Sequence, residues 1–596
     1  MYKNLREFVN QLDRAGELRR VTVPVSTVYE IAEITDRISK SNGGGQALLF
    51  ENTGTAFPVL TNMMGSDRRM AMALGVERLD ELAERIDSLL KTVVSPKNSL
   101  SDKLRMLPVL AEMSRWFPQV SSSRGECQQV VMQGATCSLD LLPVLKCWGC
   151  DGGRFVTLPM VNTIDPDTGV RNVGMYRMQV FDAHTTGMHW HIHKTGARHY
   201  DAYKKAGRRM PVSVALGGDP AYTYAATAPM PDNMDEYLLA GFLRRKPVKL
   251  VQCLTNELYV PADCDFVIEG YVDPAEEPVT EGAFGDHTGF YSLTDLYPQF
   301  HITAVTHRRD AIYPATVVGI PPQEDAFIAK ATEQIFLAPI RLAVQPEVRD
   351  LTMPTAGTAH NIAVVSIAQR YRGQAGKVAQ GLWGAGQMMF NKYMLITAET
   401  IDVRNKELLA NLLRRVDVQH DLIRGEGILD VLDHATATTG FGGKLAIDLT
   451  QIDLASSIQT PSVPAGFCGD YLAKWGVLVA FSDENQPIRP VDGVKYVAVF
   501  DRRAEGLSGE ELLWLAAANT DPRRDVRVCE QTLLIDARSK HPQSPAPPAR
   551  LPNVVNSRSE VIEQVDGRWA EYGLGAFIAS PSTRYRRLLW SEDAAI

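Results

Sequence analysis

The stretch that most limits the possible folds runs from about residue 125 to residue 310, where the helical periodicity of the flanking sequence fades. Short β-type runs separated by glycine, proline, asparagine and aspartate replace it. The runs are Val156–Val161, Met175–Phe181, Val212–Leu216, Val248–Gln252 and Phe266–Glu269, and one helical pattern, Met234–Leu243, interrupts them. Many short strands with turn residues between them predict a barrel or a strongly bent sheet.

The sequence on either side of this stretch alternates between helical and strand patterns, which predicts mixed α/β regions. Among the first hundred residues, helices are predicted around Leu5–Leu12, Ile31–Ile38 and Leu79–Leu90, and strands at Leu18–Pro24, Ala47–Phe50 and Pro58–Thr61. A chain of 596 residues exceeds the size of a single hydrophobic core. We therefore expect an α/β protein of several domains.

An α/β pattern resumes at about residue 315 and then repeats itself. The strand-like Lys392–Thr397 and the helical Glu407–Leu413 are echoed by Lys495–Phe500 and Glu511–Ala516, and Lys444–Asp448 is echoed by Thr532–Asp536. The echo predicts two related β-α-β-like units.

The end of the chain has a different character. His541–Pro548 is rich in proline, which predicts a stiff connector. The segment Ser559–Trp569 is amphipathic, and its apolar side consists of Val561, Ile562, Val565 and Trp569. We expect this helical tail to dock on another subunit.

Composition and charge exclude several classes of protein. The 62 basic and 70 acidic side chains give a net charge of −8, so no nucleic-acid surface is indicated. The segment Met1–Phe8 carries charges where a secretory signal needs an apolar core, and no apolar run approaches the roughly 18–20 residues of a bilayer span. Eight cysteines are too few for a disulfide scaffold, and the pair Cys147 and Cys150 has no second pair at zinc-ligand spacing. We predict a cytoplasmic protein with free thiols.

The candidate chemistry lies in Glu281–Tyr291, a glycine-rich segment with two carboxylates five residues apart. In an uninterrupted strand, Glu281 and Asp286 would point to opposite faces. Gly282 and Gly285 permit a turn that brings both acids to one cavity. A surface turn with two solvated acids is the alternative.

Three aromatic residues of this segment, Phe284, Phe290 and Tyr291, would supply apolar walls. A carboxyl group against such walls has a raised pKa. We therefore expect a carboxyl group suited to donate a proton near neutral pH.

A second polar cluster is Met188–Lys194, in which His189, His191 and His193 occupy alternate positions. On a strand these imidazoles would share one face, where they can hold a divalent metal or bind a phosphate. A surface or barrel-lining strand that happens to be rich in histidine is the alternative.

Three further polar residues are candidates for binding. Asn172 and Arg177 lie five apart, and they offer an amide oxygen to a metal and a guanidinium to an anionic substrate. Glu236 lies on the predicted helix Met234–Leu243. Taken alone, each of the three also fits a solvated surface position.

Together and in this order, the motifs resemble the UbiD-type decarboxylases, which use a prenylated flavin. The resemblance runs from the N-terminal helices to about residue 450 and rests on Asn172–Arg177, Asp235–Gly241, Glu281–Gly289, Pro321–Asp325 and Lys392, with a further match near Asn519–Asp525. It implies an α/β fold with a central split β-barrel for the flavin, flanked by an N-terminal α/β region and a C-terminal α/β oligomerisation domain.

Together with the sequence patterns, the resemblance predicts four domains. They are an N-terminal α/β region (1–120), a split β-barrel that binds prenylated FMN (121–312), a C-terminal α/β domain with the internal echo (313–540), and a proline-rich linker with a helical tail (541–596). The last hundred residues depart from the shorter family members, which leaves the oligomeric state and the transfer of substrate identity open.

The resemblance also implies binding residues. Asn172, Glu236 and His193 would hold a divalent metal, usually manganese, and a potassium ion is a further candidate. His193 is preferred to its neighbour Lys194 because an ammonium cannot coordinate a metal, and Lys194 would then contact the cofactor phosphate. The residues that match cofactor-binding positions are Met175, Tyr176, Arg177, His189, Trp190, His191, Lys194, Thr195 and Lys392.

Arg177, Glu281 and Asp286 match the catalytic arginine and two acids of the family. By this resemblance Arg177 would orient the substrate carboxylate, Glu281 would be acid and base at the carbon that loses CO2, and Asp286 would be a proton donor or relay. Which acid delivers the proton stays open. Decarboxylation at an sp2 carbon needs an electron sink, which the prenylated flavin supplies.

The implied function is reversible, non-oxidative decarboxylation of an aromatic or conjugated acid, with a polyprenyl-hydroxybenzoate or naphthoate of ubiquinone or menaquinone biosynthesis as the first candidate. The implied partners are that acid, CO2, a flavin prenyltransferase that supplies the cofactor, and further copies of the chain in a dimer or hexamer. A polyprenylated substrate would add peripheral membrane association.

Two other functions fit parts of the sequence. A metal-dependent hydrolase or decarboxylase would use His189, His191 and His193 without flavin. A protein that binds ordinary FMN for electron transfer is the other, and it leaves Glu281 and Asp286 without a role.

Overall fold

The structure is a computed structural model, and it describes residues 1–95, 100–455, 469–472, 476–482, 488–540 and 551–595. It divides into two units, of which the first comprises Met1–Ile328 and Val555–Tyr585 and the second comprises Ala329–Val554 and Arg586–Ile596. The predicted connector His541–Pro548 lies outside the described residues. Among the described helices, none is both long enough and apolar enough to cross a membrane.

The N-terminal part of the chain follows the predicted alternation of helices and strands. Its elements are α1 (Leu5–Arg14), β1 (Leu18–Val21), α2 (Glu30–Ser39), β2 (Ala47–Phe50), β3 (Val59–Thr61), α3 (Asp67–Leu74), α4 (Asp80–Val94), α5 (Leu100–Ser114), β4 (Gln119–Val120) and β5 (Val130–Gln133). The apolar face of α1 (Leu5, Phe8 and Leu12) is fully buried, as its spacing predicts.

The central part is rich in strands. Its elements are β6 (Arg154–Val156), β7 (Met160–Ile164), β8 (Arg171–Met175), β9 (Met178–Val180), β10 (Thr185–Gly187), α6 (Thr195–Ala206), β11 (Met210–Leu216), α7 (Pro220–Thr227), α8 (Glu236–Arg244), β12 (Lys249–Gln252), β13 (Tyr259–Pro261), β14 (Phe266–Val272), β15 (Val279–Glu281), β16 (Phe284–Gly285), β17 (Tyr291–Ser292), β18 (Asp295–Tyr297), β19 (Gln299–His307) and β20 (Tyr313–Pro314).

A bent nine-stranded sheet forms the centre of the first unit. Its strands run in the order β6-β9-β10-β19-β14-β11-β7-β8, with β5 beside β19, and each neighbouring pair is antiparallel. The pairing of β14 with β19 shifts register between Glu269 and Gly270, an irregularity that bends a sheet. Since the end strands β6 and β8 are not paired with each other in this sheet, it is a half-barrel. The predicted α/β class with a barrel-like centre is confirmed.

The described part of the second unit and the end of the chain contain the remaining elements. These are α9 (Glu324–Ala343), β21 (Val348–Thr352), β22 (Ile362–Ile367), α10 (Gln374–Trp383), β23 (Tyr393–Ala398), α11 (Lys406–Leu413), β24 (Leu422–Ile428), β25 (Phe441–Leu449), β26 (Gly469–Leu472), β27 (Val477–Phe481), β28 (Tyr496–Phe500), α12 (Gly509–Asn519), α13 (Pro522–Asp525), β29 (Val526–Cys529), β30 (Thr532–Asp536), α14 (Ser559–Arg568) and α15 (Ser582–Tyr585).

The described residues of the second unit form two five-stranded sheets with the same arrangement. Their orders are β21-β22-β23-β25-β24 and β26-β27-β28-β30-β29. In both sheets the three middle strands are parallel, and the outer strand on each side is antiparallel to its neighbour. Strands β23 and β28, which follow the two echoed lysines, occupy the same position in their sheets.

The tail packs against α2 of the first unit in this chain, whereas the sequence led us to expect docking on another subunit. Every residue of α2 is buried, including the polar face that a surface helix would expose. Arg37 on this face donates from Nε to Glu33 at 2.7 Å and from Nη1 to Asp566 of α14 at 2.6 Å. The tail therefore covers charges that the apolar spacing of α2 alone would leave in solvent.

Replacing Arg37 should destabilise the first unit strongly. The side chains of Arg37 and Glu33 are both 0% exposed, so Arg37→Ala would leave a buried carboxylate without its cation, at a cost of about 3–5 kcal/mol. The matched control is Arg68→Ala, because Arg68 pairs with Glu17 while 63% of its side chain is exposed, and such pairs contribute about 1 kcal/mol or less. Differential scanning calorimetry should show a clearly larger fall in midpoint for Arg37→Ala, and equal shifts would contradict this account.

Candidate active site

Arg177 lies between β8 and β9 in the half-barrel, and its guanidinium holds both candidate acids. Its Nε and Nη2 donate to the two carboxylate oxygens of Glu281 at 3.0 and 3.1 Å. Its Nη1 donates to Asp286 at 2.5 Å, and Nη2 also donates to the hydroxyl of Ser292 at 2.8 Å. All four residues are buried, so the structure brings the predicted catalytic trio together in one site.

Two glycines shape the acid-bearing segment between Glu281 and Asp286. Gly282 has a φ of +102°, which side-chain-bearing residues rarely adopt. At Gly285 a Cβ atom would lie 2.2 Å from the Trp148 ring, so no larger residue fits there. Glu281 ends β15 and Asp286 follows β16, and the turn between these strands faces both acids toward the same guanidinium.

The loop at residues 147–152 supports this turn through Asp151, a residue that the sequence did not single out. One carboxylate oxygen of Asp151 accepts from the backbone N–H groups of Cys147 and Trp148 at 3.1 and 2.8 Å. The other accepts from the N–H of Gly285 at 2.8 Å. Burial raises the pKa of Asp151 to about 7. In the sequence, the pair Cys147 and Cys150 drew attention to this loop. The side-chain contact between the loop and the turn is made by Asp151, the residue that follows the pair.

The pKa values of the two acids are lowered, so the expectation of a raised value is wrong. Burial alone would raise the pKa of Glu281, but the charge of Arg177 and the hydrogen bond with His189 lower it to about 2. Burial would likewise raise the pKa of Asp286, but the hydrogen bonds from His287 and the charge of Arg177 hold it well below its ordinary range. The pKa-lowering effect of Arg177 and of the histidine hydrogen bonds therefore exceeds the pKa-raising effect of burial beside the aromatic rings.

The histidine-rich segment is not a strand, which corrects the prediction from its alternation. Strand β10 ends before the segment, and the chain turns directly into α6. The Nδ1 of His189 lies 2.9 Å from Glu281 Oε2, and its Nε2 lies 2.6 Å from the Nε2 of His191. Among the described residues no group of three His, Cys, Asp or Glu is placed to hold a metal, so His189, His191 and His193 do not form the three-histidine site of the alternative function.

Asn172 and Glu236, the first two predicted metal ligands, lie side by side. Asn172 is on β8, and Glu236 is the first residue of α8. The backbone N–H of Val173 donates to Glu236 Oε2 at 2.7 Å, which places the carboxylate next to Asn172. Burial raises the pKa of Glu236 to about 8, and the nearby charge of Arg171 only partly opposes this. A buried carboxylate of this kind, beside an amide, fits a divalent cation with oxygen ligands.

Several predicted cofactor residues assemble at the start of α6. The N–H of Gly196 in α6 donates to the hydroxyl of Tyr176 at 3.3 Å, and the Trp190 ring lies edge-on to the Tyr176 ring. Lys194 precedes the first residue of α6, Thr195. A helix N-terminus preceded by a lysine suits a phosphate.

Lys392, by contrast, belongs to the second unit. Its ammonium contacts Asp433 at 2.5 Å and the carbonyls of Ala517 and Thr520 at 2.8 and 2.9 Å. These three contacts engage the three N–H groups of the lysine within that unit. A contact of Lys392 with a flavin stays a prediction.

Three family models match the chain in order. They are the N-terminal domain of the 3-octaprenyl-4-hydroxybenzoate carboxy-lyase family (UbiD) at residues 9–87, its Rift-related domain at residues 118–321, and its C-terminal domain at residues 326–449. An uncharacterized protein from Aquifex aeolicus (strain VF5) is 47% identical over 451 residues, which cover 75% of this chain and 92% of that protein.

Two solved structures share the fold. The UbiD-class enzyme HmfF from Pelotomaculum thermopropionicum, in complex with FMN, matches with a TM-score of 0.64 and 26% identity over 78% of this chain and 98% of its own. Vanillic acid decarboxylase from Sedimentibacter hydroxybenzoicus, in its closed form, matches with a TM-score of 0.66 and 26% identity over 80% of this chain and 98% of its own.

The stability that Glu281 provides should depend on pH. Its pKa of about 2 in the folded chain lies below the ordinary value of 4.5. The ionised carboxylate therefore stabilises the fold above pH 4.5, and this contribution is lost as the pH falls toward 2. We expect the gap in thermal midpoint between the wild type and Glu281→Gln to shrink from pH 7 to pH 3. The exposed control Glu277→Gln should show a small gap that does not change, and a Glu281→Gln gap that is also constant would contradict the lowered pKa.

Proposed function

Because the chain belongs to the UbiD family of carboxy-lyases, we propose that it catalyses the reversible, non-oxidative decarboxylation of an aromatic or conjugated carboxylic acid. The observation that carries the proposal is the buried cluster of Arg177, Glu281 and Asp286 on the half-barrel. The family match and the vanillic acid decarboxylase neighbour support the reaction class. A polyprenyl-hydroxybenzoate or naphthoate of quinone biosynthesis is our first substrate candidate.

Prenylated FMN is the proposed cofactor, and the half-barrel is its proposed site. When bound, it supplies the electron sink for the electron pair that stays on the substrate carbon as CO2 departs. Asn172, His193 and Glu236 would hold the divalent metal, with manganese as the candidate, and Lys194 at the start of α6 would contact the phosphate. The buried carboxylate of Glu236 and the FMN bound by HmfF support this assignment.

Arg177 has the geometry to orient a substrate carboxylate while it holds the acids. The described contacts use four of its five N–H groups, namely one on Nε, one on Nη1 and two on Nη2. The second N–H of Nη1 is the group we assign to the substrate. A carboxylate placed there would share the guanidinium with Glu281 and Asp286.

Proton transfer then depends on how the substrate changes the charge around Glu281. The lowered pKa values of both acids favour their ionised forms, in which a carboxylate can accept a proton. An anionic substrate at Arg177 adds negative charge near Glu281. It also competes with Glu281 for the positive charge of the guanidinium, and both effects raise the pKa of Glu281. Glu281 can then take up a proton and deliver it to the carbon that lost CO2. Asp286, held by His287 and Arg177, would act as the relay.

The remaining expectations stay predictions. They concern the potassium ion, the flavin prenyltransferase as cofactor supplier, the dimer or hexamer, and the cytoplasmic location. A flavoprotein that only transfers electrons would give no role to the buried acid pair, and the three-histidine metal site is not formed by the described residues.

Co-expression with a flavin prenyltransferase, followed by an absorption spectrum and a CO2-exchange assay on a panel of benzoates and naphthoates, tests the function. We expect Glu281→Gln and Asp286→Asn to lower exchange by roughly 10²-fold or more, as removal of general acids does, while the cofactor spectrum persists. The control Glu277→Gln removes an exposed acid of the same region and should retain full exchange. Near-normal exchange in either active-site variant would remove that residue from the mechanism.

Binding of an aromatic carboxylate should take up protons. Since the anion raises the lowered pKa of Glu281, net proton uptake should accompany ligand binding. Isothermal titration calorimetry with benzoates in buffers of different ionisation enthalpy measures this uptake. Glu281→Gln should bind the same ligand without proton uptake, and equal uptake by the two proteins would assign the proton to another group.

A further inference from the structure

The C-terminal tail, residues 555–585, is part of the first unit and reaches the backbone beside the two acids. The buried backbone N–H of Val555 donates to the carbonyl of Gly289 at 2.9 Å. Three residues later, Arg558 donates from Nη2 to the carbonyl of Gly149 at 2.7 Å. The tail thus bonds to the segment that carries Asp286 and to the loop at residues 147–152.

The first of these carbonyls belongs to the turn that places Asp286. Gly289 donates its N–H to the carbonyl of Asp286 at 3.0 Å, and Asp286 donates its N–H to the carbonyl of Phe290 at 3.1 Å. Gly289 is therefore one end of a closed turn, and Asp286 is the other. A displacement of Gly289 moves the backbone that carries the carboxylate.

The second carbonyl belongs to the loop that holds the residues between the two acids. Asp151 in this loop accepts from the N–H of Gly285 at 2.8 Å, and Gly152 donates to the carbonyl of Ala283 at 2.7 Å. The loop and the turn are thus joined to each other, and the tail is bonded to both.

The tail itself is fixed to α2 by buried polar contacts. Ser557 donates its hydroxyl to Glu33, and Tyr572 donates its hydroxyl to Glu30 at 2.7 Å. Arg37 joins the same network through Asp566 of α14. The positions of Val555 and Arg558 are therefore set by a buried helix.

We propose that residues 555–585 are a positioning element for the catalytic acids, with Val555 and Arg558 as the positioning residues that hold the 286–289 turn and the 147–152 loop in register. The inference rests on the proposed function, which assigns the chemistry to Glu281 and Asp286. The segment lies beyond residue 449, where the last of the three family-model matches ends.

Hydrogen–deuterium exchange of the holoenzyme, read in peptides that cover residues 283–291, tests the contact directly. Val555→Pro removes the backbone donor to Gly289, and Arg558→Ala removes the donor to Gly149. Arg558 is exposed, so its replacement should leave the fold intact. If Val555→Pro does not fold, Arg558→Ala still tests the proposal. The matched control is Gln564→Ala, an exposed side chain on the same tail helix.

Loss of one such hydrogen bond should speed exchange in these peptides about five-fold, while peptides from the second unit exchange as in the wild type. The same variants should lower kcat about five-fold or more with little change in KM, and Arg558→Lys should recover part of the loss. Exchange and kcat equal to those of Gln564→Ala would overturn the positioning role. Asp286→Asn, measured alongside, separates the two proposals: if it keeps its activity, the assignment of Asp286 fails, while the exchange data still decide whether the tail holds the turn.

Discussion

The first unit has to keep a guanidinium and two carboxylates out of water. Removing such ions from water costs several kcal/mol each, and the cost is offset only if every charge is paired in good geometry. Here Arg177 bonds to both oxygens of Glu281 and to Asp286, and the Phe284 ring lies 4.7 Å from the guanidinium carbon. This cation and the hydrogen bonds of His189 and His287 lower the pKa values of the two acids, which favours their proton-accepting forms. Turnover therefore requires the substrate to raise the pKa of one of the acids. A substrate anion at Arg177 would do so, because it adds negative charge beside both carboxylates.

Local patterns in the sequence predicted much of this fold, for an identifiable reason. Helix α1 presents one apolar face, and periodicity reports such a face directly. Helix α2 shows the limit, since its apolar spacing is real but Glu33 and Arg37 on its other face are buried as well. Their partner Asp566 lies at the far end of the chain, and no local pattern contains it. The same limit applies to the pKa of Glu281, because the charge that lowers it most is on Arg177, which is distant in the sequence.

The two sheets of the second unit show that a repeated sequence pattern predicts strand order better than it predicts the contacts of individual side chains. Their strands have the same order, and two tyrosines at matching positions make related contacts across the pair: the hydroxyl of Tyr393 bonds to Thr520 after α12, and that of Tyr496 bonds to the carbonyl of Leu413 in α11. The lysines before these tyrosines differ, because Lys392 is fully buried against Asp433 whereas Lys495 is not among the buried residues. A shared motif therefore predicts where a residue lies in its sheet, and its partners must be read from the structure.

The support of the acid-bearing turn follows from its small size. Strands β16 and β17 contribute only the pairs Phe284 with Ser292 and Gly285 with Tyr291, and an isolated ladder of that length has little stability of its own. A turn so short cannot by itself hold Glu281 and Asp286 at fixed positions around a cation. The missing rigidity has to come from bonds to other segments, and the structure supplies them from Asp151 and from the tail. The acids could be predicted from the sequence because the chemistry requires those residue types. Every residue type can form backbone hydrogen bonds, so such contacts cannot be predicted from residue identity. The segments that hold the acids are therefore identified only in the folded chain.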